Sequence, residues 1–232
     1  MATARTAVAA KPMSGVRVNR FLGGVYLIMA VGLAVTALVS FWVSTNEELL
    51  FRIATSPWFA WTLFLIQIFI VVALSAAVTR FSAGVAFLLF LAYSALTGLT
   101  LSTIFIYYNQ STIAYTFVVT AGMFLFSSVV GFLVKRDLSG LGMFLVLALA
   151  GWIFASFLTW FFPFATLMNQ ALNFAGILLF AALTVWDTQR LKILAGQLEG
   201  KKGMGGIMVV GALALYLDFI NLFLLLLRRS GR

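Results

Sequence analysis

The 232-residue chain contains no cysteine and no histidine. Disulfide frameworks, cysteine nucleophiles, histidine general bases and zinc sites built from these residue types are therefore excluded. Phosphate-binding glycine loops, dinucleotide-binding glycine patterns and the serine nucleophile elbow are missing as well. We therefore interpret the chain as a protein that is not an enzyme, and we expect it to hold no cofactor.

Charged residues are scarce. Only 9% of the residues are charged and 63% are hydrophobic. In a soluble domain, roughly 25% of the residues are charged and roughly 45–50% are hydrophobic. This composition predicts an integral membrane protein surrounded by lipid. The net charge of +9 does not indicate a nucleic-acid partner, because the sequence has no basic stripe with interleaved aromatic residues.

Long apolar runs are abundant, and seven of them have about the 20 residues that a membrane-spanning helix needs. They predict an all-α integral membrane protein, with a seven-helix transmembrane bundle over residues 21–232 and a polar cytoplasmic tail over residues 1–20. The tail has no long apolar core and is not typical of a signal peptide. The predicted spans cover residues 21–44, 58–79, 83–108, 112–134, 141–162, 168–186 and 203–227.

The basic residues predict the orientation of the bundle. They are concentrated in the first tail and in the connections after the second, fourth and sixth spans, so we expect these segments and the N-terminus to be cytoplasmic. A full crossing of the last segment would place three basic residues outside the cytoplasm, against the positive-inside rule: Arg228, Arg229 and Arg232. A re-entrant last segment would return them to the cytoplasmic side, and the glycines at its start would allow an unwound entry. The length of that segment favours a full crossing, and the sequence leaves both alternatives open.

The six acidic residues fall into two groups. Those at the edges of predicted spans are interpreted as solvated loop charges: Glu47, Glu48, Asp137 and Glu199. Asp218 differs, because it lies in an apolar run about 15 Å along the helix from Arg228. A carboxylate at such depth costs roughly 2.5–3.5 kcal/mol, which favours a functional role over a hydrogen bond between helices. Asn221 lies one turn further on the same face and is predicted to support it.

Asp187 lies at the end of the sixth predicted span, in VWDTQRLK at 185–192. If the helix continues to about Ala195, Asp187 is drawn inside the protein. Arg80, at the cytoplasmic end of the second span, is either its partner or a residue that reaches the membrane surface. Gly98 and Gly122 are predicted to allow close contact between helices.

Three stretches resemble the Bax inhibitor-1 family, also called the transmembrane Bax inhibitor motif family, and its bacterial members in particular. They are AYSALTGLTLSTIF at 92–105, VWDTQRLK at 185–192 and ALALYLDFINLFLLLLRRSGR at 212–232. The resemblance implies seven helices with the last one central, a pH-sensitive calcium leak channel, and, for a bacterial protein, a place in the inner membrane. The paired aspartates of the family fall on Asp187 and Asp218, and the arginine that contacts the first of them in the closed pore falls on Arg80.

The aspartate pair suggests how pH gates the channel. Two carboxyl groups close together in a site of low dielectric do not both ionise at low cost, so they share a proton and hold two helices together. Loss of the proton separates the helices and exposes oxygen ligands of Asp187 and Asp218 to a passing Ca²⁺. Two alternatives remain: a proton-coupled cation exchanger, and a non-transporting membrane protein that modulates a partner such as a membrane protease or a cell-death or stress pathway. The oligomeric state is not predicted.

Overall fold

The computed structural model describes residues 15–77, 82–162, 166–197 and 204–230, and the regular elements within these ranges are all helices. Seven helical segments there are long and apolar enough to cross a membrane: α1, α3, α4 together with α5, α6, α7, α8 and α9. The predicted all-α bundle of seven spans is confirmed. The helices are α1 Gly15–Ser44, α2 Glu47–Thr55, α3 Pro57–Ala77, α4 Ala83–Leu101, α5 Ile104–Tyr107, α6 Gln110–Leu133, α7 Ser139–Phe161, α8 Thr166–Gln197 and α9 Met204–Ser230.

The last helix is the centre of the bundle. α9 packs against α1, α3, α4, α6 and α8, whereas α7 packs mainly on α8. In the most apolar stretch of α9, 67% of the residues are buried, compared with 39% or less in every other span among the described residues. A helix that is apolar on all sides is suited to such a position. The central position that the family resemblance implies for the last helix is thus observed.

α9 is a continuous helix of 27 residues, which is about 40 Å long and sufficient for one full crossing. Gly205 and Gly206 belong to its first turn. The re-entrant alternative required an unwound entry at these glycines, and the described part of the segment does not have one. Arg228 and Arg229 therefore lie at the opposite end of the bundle from Met204.

The boundaries of three segments differ from the prediction. α1 already begins at Gly15 and so includes the last residues of the predicted tail. The first connection contains α2, an amphipathic helix whose N-terminus is capped by Asn46 and whose Glu48 pairs with Arg52 at 2.9 Å. Glu47 and Glu48 are exposed as expected, but they begin a helix. Acidic residues there are favoured by the helix dipole, and such a helix suits the membrane interface.

The sixth predicted span ended at residue 186, but α8 continues to Gln197. The continuation is held against α6, because Lys192 Nζ donates to the carbonyl oxygen of Phe132 at 2.6 Å, in the last turn of α6. Lysine at a helix C-terminus satisfies carbonyl groups that have no partner within the helix. The longer helix places Asp187 well before its end, as the sequence analysis allowed.

Two glycines of the described residues lie directly against the backbone of a neighbouring helix, and the sequence predicted only one of them. A Cβ atom at Gly98 would lie 2.7 Å from the carbonyl oxygen of Thr36, so the predicted contact is confirmed. Gly122 has no atom within 4 Å of that position, and its predicted contact is wrong because it faces open space. Instead, a Cβ atom at Gly131 would overlap the carbonyl oxygen of Val185, so α6 and α8 touch just before Asp187.

We expect Gly131→Ala to lower the free energy of unfolding by about 1–3 kcal/mol, the usual cost of forcing extra atoms into a packed contact. The added methyl group meets backbone, which cannot rotate away, so α8 must shift. Gly122→Ala is the matched control on the same helix, and we expect it to leave stability unchanged or slightly higher, since alanine favours a helix. Thermal unfolding in detergent measures both variants, and equal stability would contradict the close contact.

Candidate functional site

Two carboxyl groups meet between α8 and the central helix. Asp187 on α8 is half-buried, whereas Asp218 on α9 is only 5% exposed. The two side chains lie within hydrogen-bonding range of each other. The structure therefore brings together the two aspartates that the sequence singled out, at about the middle of α9.

A proton is needed to complete this contact. Asp218 Oδ2 is buried and receives no hydrogen bond from any described residue. Because an ionised carboxylate only accepts hydrogen bonds, a bond between two carboxyl groups requires one of them to be protonated. Thr184, fully buried beside Asp218, donates its hydroxyl hydrogen to the carbonyl oxygen of Phe180 at 2.9 Å. Toward Asp218 it offers a lone pair, which suits the protonated form.

The basic residue of the described ranges that acts on the pair is Arg190. It lies one turn beyond Asp187 and attracts that carboxylate. The guanidinium of Arg190 is exposed and lies 5.2 Å from the centre of the Trp186 ring. Arg80, the predicted partner of Asp187, lies outside the described residues, as does Glu199.

The three residues of the motif D-T-Q each reach a different neighbour. Asp187 meets α9, while the Thr188 hydroxyl lies 3.3 Å from the Tyr26 hydroxyl on α1. Gln189 reaches the turn between α6 and α7. Successive residues of an α-helix point about 100° apart, so three consecutive polar residues contact three sides of the bundle. This explains why the polar residues of the motif are adjacent in the chain.

Gln189 is a residue that the sequence analysis missed. Its amide nitrogen donates to the carbonyl oxygens of Val134 and Arg136 at 3.2 and 2.7 Å, and its oxygen accepts from the Leu138 N–H at 3.0 Å. These bonds join the α6–α7 turn to α8 two residues after Asp187. The available signal was a glutamine that closely follows the apolar run of the sixth predicted span, because an amide drawn into the protein needs hydrogen-bond partners.

A family model described as inhibitor of apoptosis-promoting Bax1 matches residues 18–231, which include the whole site. The chain belongs to the Bax inhibitor-1 family. The family resemblance of the three sequence stretches is thereby confirmed.

Proteins from three bacteria are similar to this chain over nearly their full length. The inner membrane protein YbhL of Escherichia coli K12 is 43% identical over 223 residues, which are 95% of this chain and 94% of that protein. A Borreliella burgdorferi protein is 40% identical over 218 residues, or 92% of each chain. A membrane protein of Streptococcus pyogenes serotype M1 is 34% identical over 221 residues, covering 94% of this chain and 95% of the relative.

The predicted calcium ligands of this Bax inhibitor-1 protein are few. The described residues contain no cluster of three or more acidic side chains that would hold a metal ion. Ca²⁺ takes about 6–8 oxygen ligands, so an ion beside Asp187 and Asp218 would keep most of its water.

Asn221, the predicted supporting residue, lies one turn beyond Asp218. Its amide nitrogen donates to the carbonyl oxygen of Leu217 on the same helix at 2.8 Å. The side chain lines a cavity between α7, α8 and α9 toward the C-terminal end of α9. Its support of the aspartate pair stays a prediction.

A second polar cluster of this Bax inhibitor-1 protein lies on another side of α9. The Thr36 hydroxyl donates to the carbonyl oxygen of Ser94 at 2.9 Å, so the Tyr216 hydroxyl is the donor in its 2.6 Å bond to Thr36. The Tyr216 ring is fully buried and packs edge to face on Phe90 and Tyr93. This cluster joins α1, α4 and α9 without charged groups.

Proposed function

We propose that this Bax inhibitor-1 family protein is a pH-sensitive calcium leak channel gated by the Asp187–Asp218 pair. One observation carries the proposal: two carboxyl groups in hydrogen-bonding range, one of them almost fully buried, join the central helix to α8. Ionisable residues inside membrane-spanning helices are expensive and typically mark ion or proton pathways.

The protonated pair is the closed state. One shared proton gives a hydrogen bond between α8 and α9, and loss of that proton leaves two negative charges in a site with little water. Two such charges about 4 Å apart repel each other by about 4 kcal/mol at an effective dielectric constant of 20. Flux should therefore be low at acidic pH and rise as the pH rises, because deprotonation favours separation of the helices and provides oxygen ligands for Ca²⁺.

The proposal includes an orientation in the bacterial inner membrane. Basic side chains are concentrated at the end of the bundle where α8 finishes and the α6–α7 turn lies, and by the positive-inside rule this end faces the cytoplasm. The start of α1 at Gly15 lies at the same end, because α1 runs parallel to α9, with Gly24 beside Met208 and Thr36 bonded to Tyr216. The proposal therefore places the N-terminus in the cytoplasm. The basic residues at this end include Lys135, Arg136, Arg190 and Lys192.

Calcium flux into liposomes that contain the purified protein tests the proposal. With equal pH on both sides, wild-type flux should rise across a pH series, and Asp187→Asn together with Asp218→Asn should remove that rise. A double variant that retains both flux and its pH dependence would contradict the aspartate gate.

Two further outcomes would replace the proposal. Flux that appears only with an opposing proton gradient would identify a proton-coupled exchanger. No protein-dependent flux at any pH, in a preparation that unfolds cooperatively, would favour a non-transporting protein that modulates a membrane partner.

A further inference from the structure

Two adjoining cavities lie at the C-terminal end of α9, away from the cluster of basic residues at the end of α8. One has a volume of about 250 Å³ and is lined by Gln170, Asn173, Arg228 and Arg229. The other, of about 240 Å³, also includes Asn173 and Arg228. We call the combined space the C-terminal chamber. It lies between α8 and α9, and residues of α7 line one wall.

The charge of the chamber favours an anion. Arg228 and Arg229 both line it, and the residues that line it in the described ranges include no acidic side chain. Neither arginine forms an ion pair within the part of the chain that the structure describes. Guanidinium groups bind phosphate through charge-assisted hydrogen bonds, and two of them make the space unfavourable for a cation.

Asn173 adds a second requirement for the ligand, which is a hydrogen-bond donor. It is 8% exposed, and its amide nitrogen donates to the carbonyl oxygen of Leu225 at 3.1 Å, which determines the orientation of the amide. Asn173 Oδ1 is buried and accepts no hydrogen bond from any described residue. A buried acceptor without a donor is costly, so a ligand that supplies a hydroxyl group would relieve that cost.

The position of the C-terminal chamber in the membrane indicates which kind of molecule carries the anion. Arg228 and Arg229 lie in the last turn of α9, and Gln170 lies in the second turn of α8. The ends of membrane-spanning helices lie at the level of the lipid headgroups. A phospholipid presents phosphate at this level, and a glycerol headgroup carries hydroxyl donors beyond the phosphate.

We propose that the C-terminal chamber binds the headgroup of phosphatidylglycerol. Its phosphate lies on Arg228 and Arg229, and a glycerol hydroxyl donates to Asn173 Oδ1. This site is separate from the aspartate pair and does not depend on the proposed channel activity. Free inorganic phosphate shares the same chemistry, and the experiment separates the two sources.

Native mass spectrometry of the detergent-purified protein, titrated with short-chain lipids, tests the headgroup site. Phosphatidylmethanol is the matched control lipid, since it has the same charge but no headgroup hydroxyl. We expect phosphatidylglycerol to bind about fivefold more tightly than phosphatidylmethanol, the effect of a single buried hydrogen bond. Phosphatidylcholine, which has neither net charge nor donor, should bind more weakly than both.

Two sets of variants assign the contacts. Arg228→Gln together with Arg229→Gln should weaken phosphatidylglycerol binding at least about tenfold, because charge-assisted bonds are lost. Arg52→Gln, which changes an exposed arginine on α2, should not weaken it. Asn173→Leu should reduce phosphatidylglycerol binding to the level of phosphatidylmethanol and leave phosphatidylmethanol binding unchanged.

Several results would overturn the proposal. These are equal affinity for all three lipids, binding that the double arginine variant leaves unchanged, and inorganic phosphate binding in the absence of any lipid preference. The lipid comparison uses the wild-type protein and needs no variant. The double arginine variant changes only exposed side chains, so we expect it to fold. The proposal can therefore be tested even if Asn173→Leu does not fold.

Discussion

Asp218→Asn is expected to abolish the pH-dependent part of calcium flux and to reduce flux at alkaline pH by about tenfold or more. The asparagine amide carries fixed N–H donors, so it hydrogen-bonds to Asp187 whether or not the pH is high. The variant therefore imitates the protonated, closed pair at every pH. A tenfold change in the population of the open state, and thus in flux, requires a free-energy difference of only about 1.4 kcal/mol. The repulsion between the two ionised carboxylates of the wild type would provide about 4 kcal/mol.

Calcium flux at several pH values, with the same pH on both sides of the liposome membrane, measures this effect. Glu48→Gln is the control, because it removes a carboxylate that is exposed on α2. We expect its flux and pH dependence to match those of the wild type. If Asp218→Asn keeps a flux that rises with pH, Asp218 does not carry the gating proton.

Tyr216→Ala is expected to lower the free energy of unfolding by about 3–5 kcal/mol, the usual cost of replacing a buried aromatic ring with alanine. The Tyr216 ring is fully buried, with ring centres 5.5 Å from Phe90 and 5.9 Å from Tyr93. Its removal leaves a void where α1, α4 and the central helix meet. Thermal or chemical unfolding in detergent measures the loss.

Two comparisons separate the ring from its hydroxyl group. Tyr216→Phe removes only the hydrogen bond to Thr36 and should cost about 0.6–1.7 kcal/mol, as measured for bonds between membrane helices. Tyr115→Ala truncates a tyrosine that is 69% exposed on α6 and should change stability little. An equal loss in the Tyr115 and Tyr216 alanine variants would show that the central cluster is not a source of stability.

The amino-acid sequence by itself determined the number of spans and the two aspartates. In lipid, backbone groups must be satisfied within a helix, so an apolar run of about 20 residues is helical whatever surrounds it. An acidic residue in such a run is costly enough to be noticed without a structure. The short helix α2 and the extension of α8 to Gln197 lack this signal, because capping by Asn46 and contacts of Gln189 and Lys192 decide them.

Only the tertiary structure decided which residues meet. It showed that Gly131 and not Gly122 allows close contact, that Tyr216 bonds to a threonine 180 residues away, and that Asn173 shares a chamber with two arginines. Hydropathy does not separate these cases, because the lipid and the protein interior are equally apolar. A pattern of apolar residues therefore shows that a helix crosses the membrane, while the packing of the helices decides which of its faces is buried.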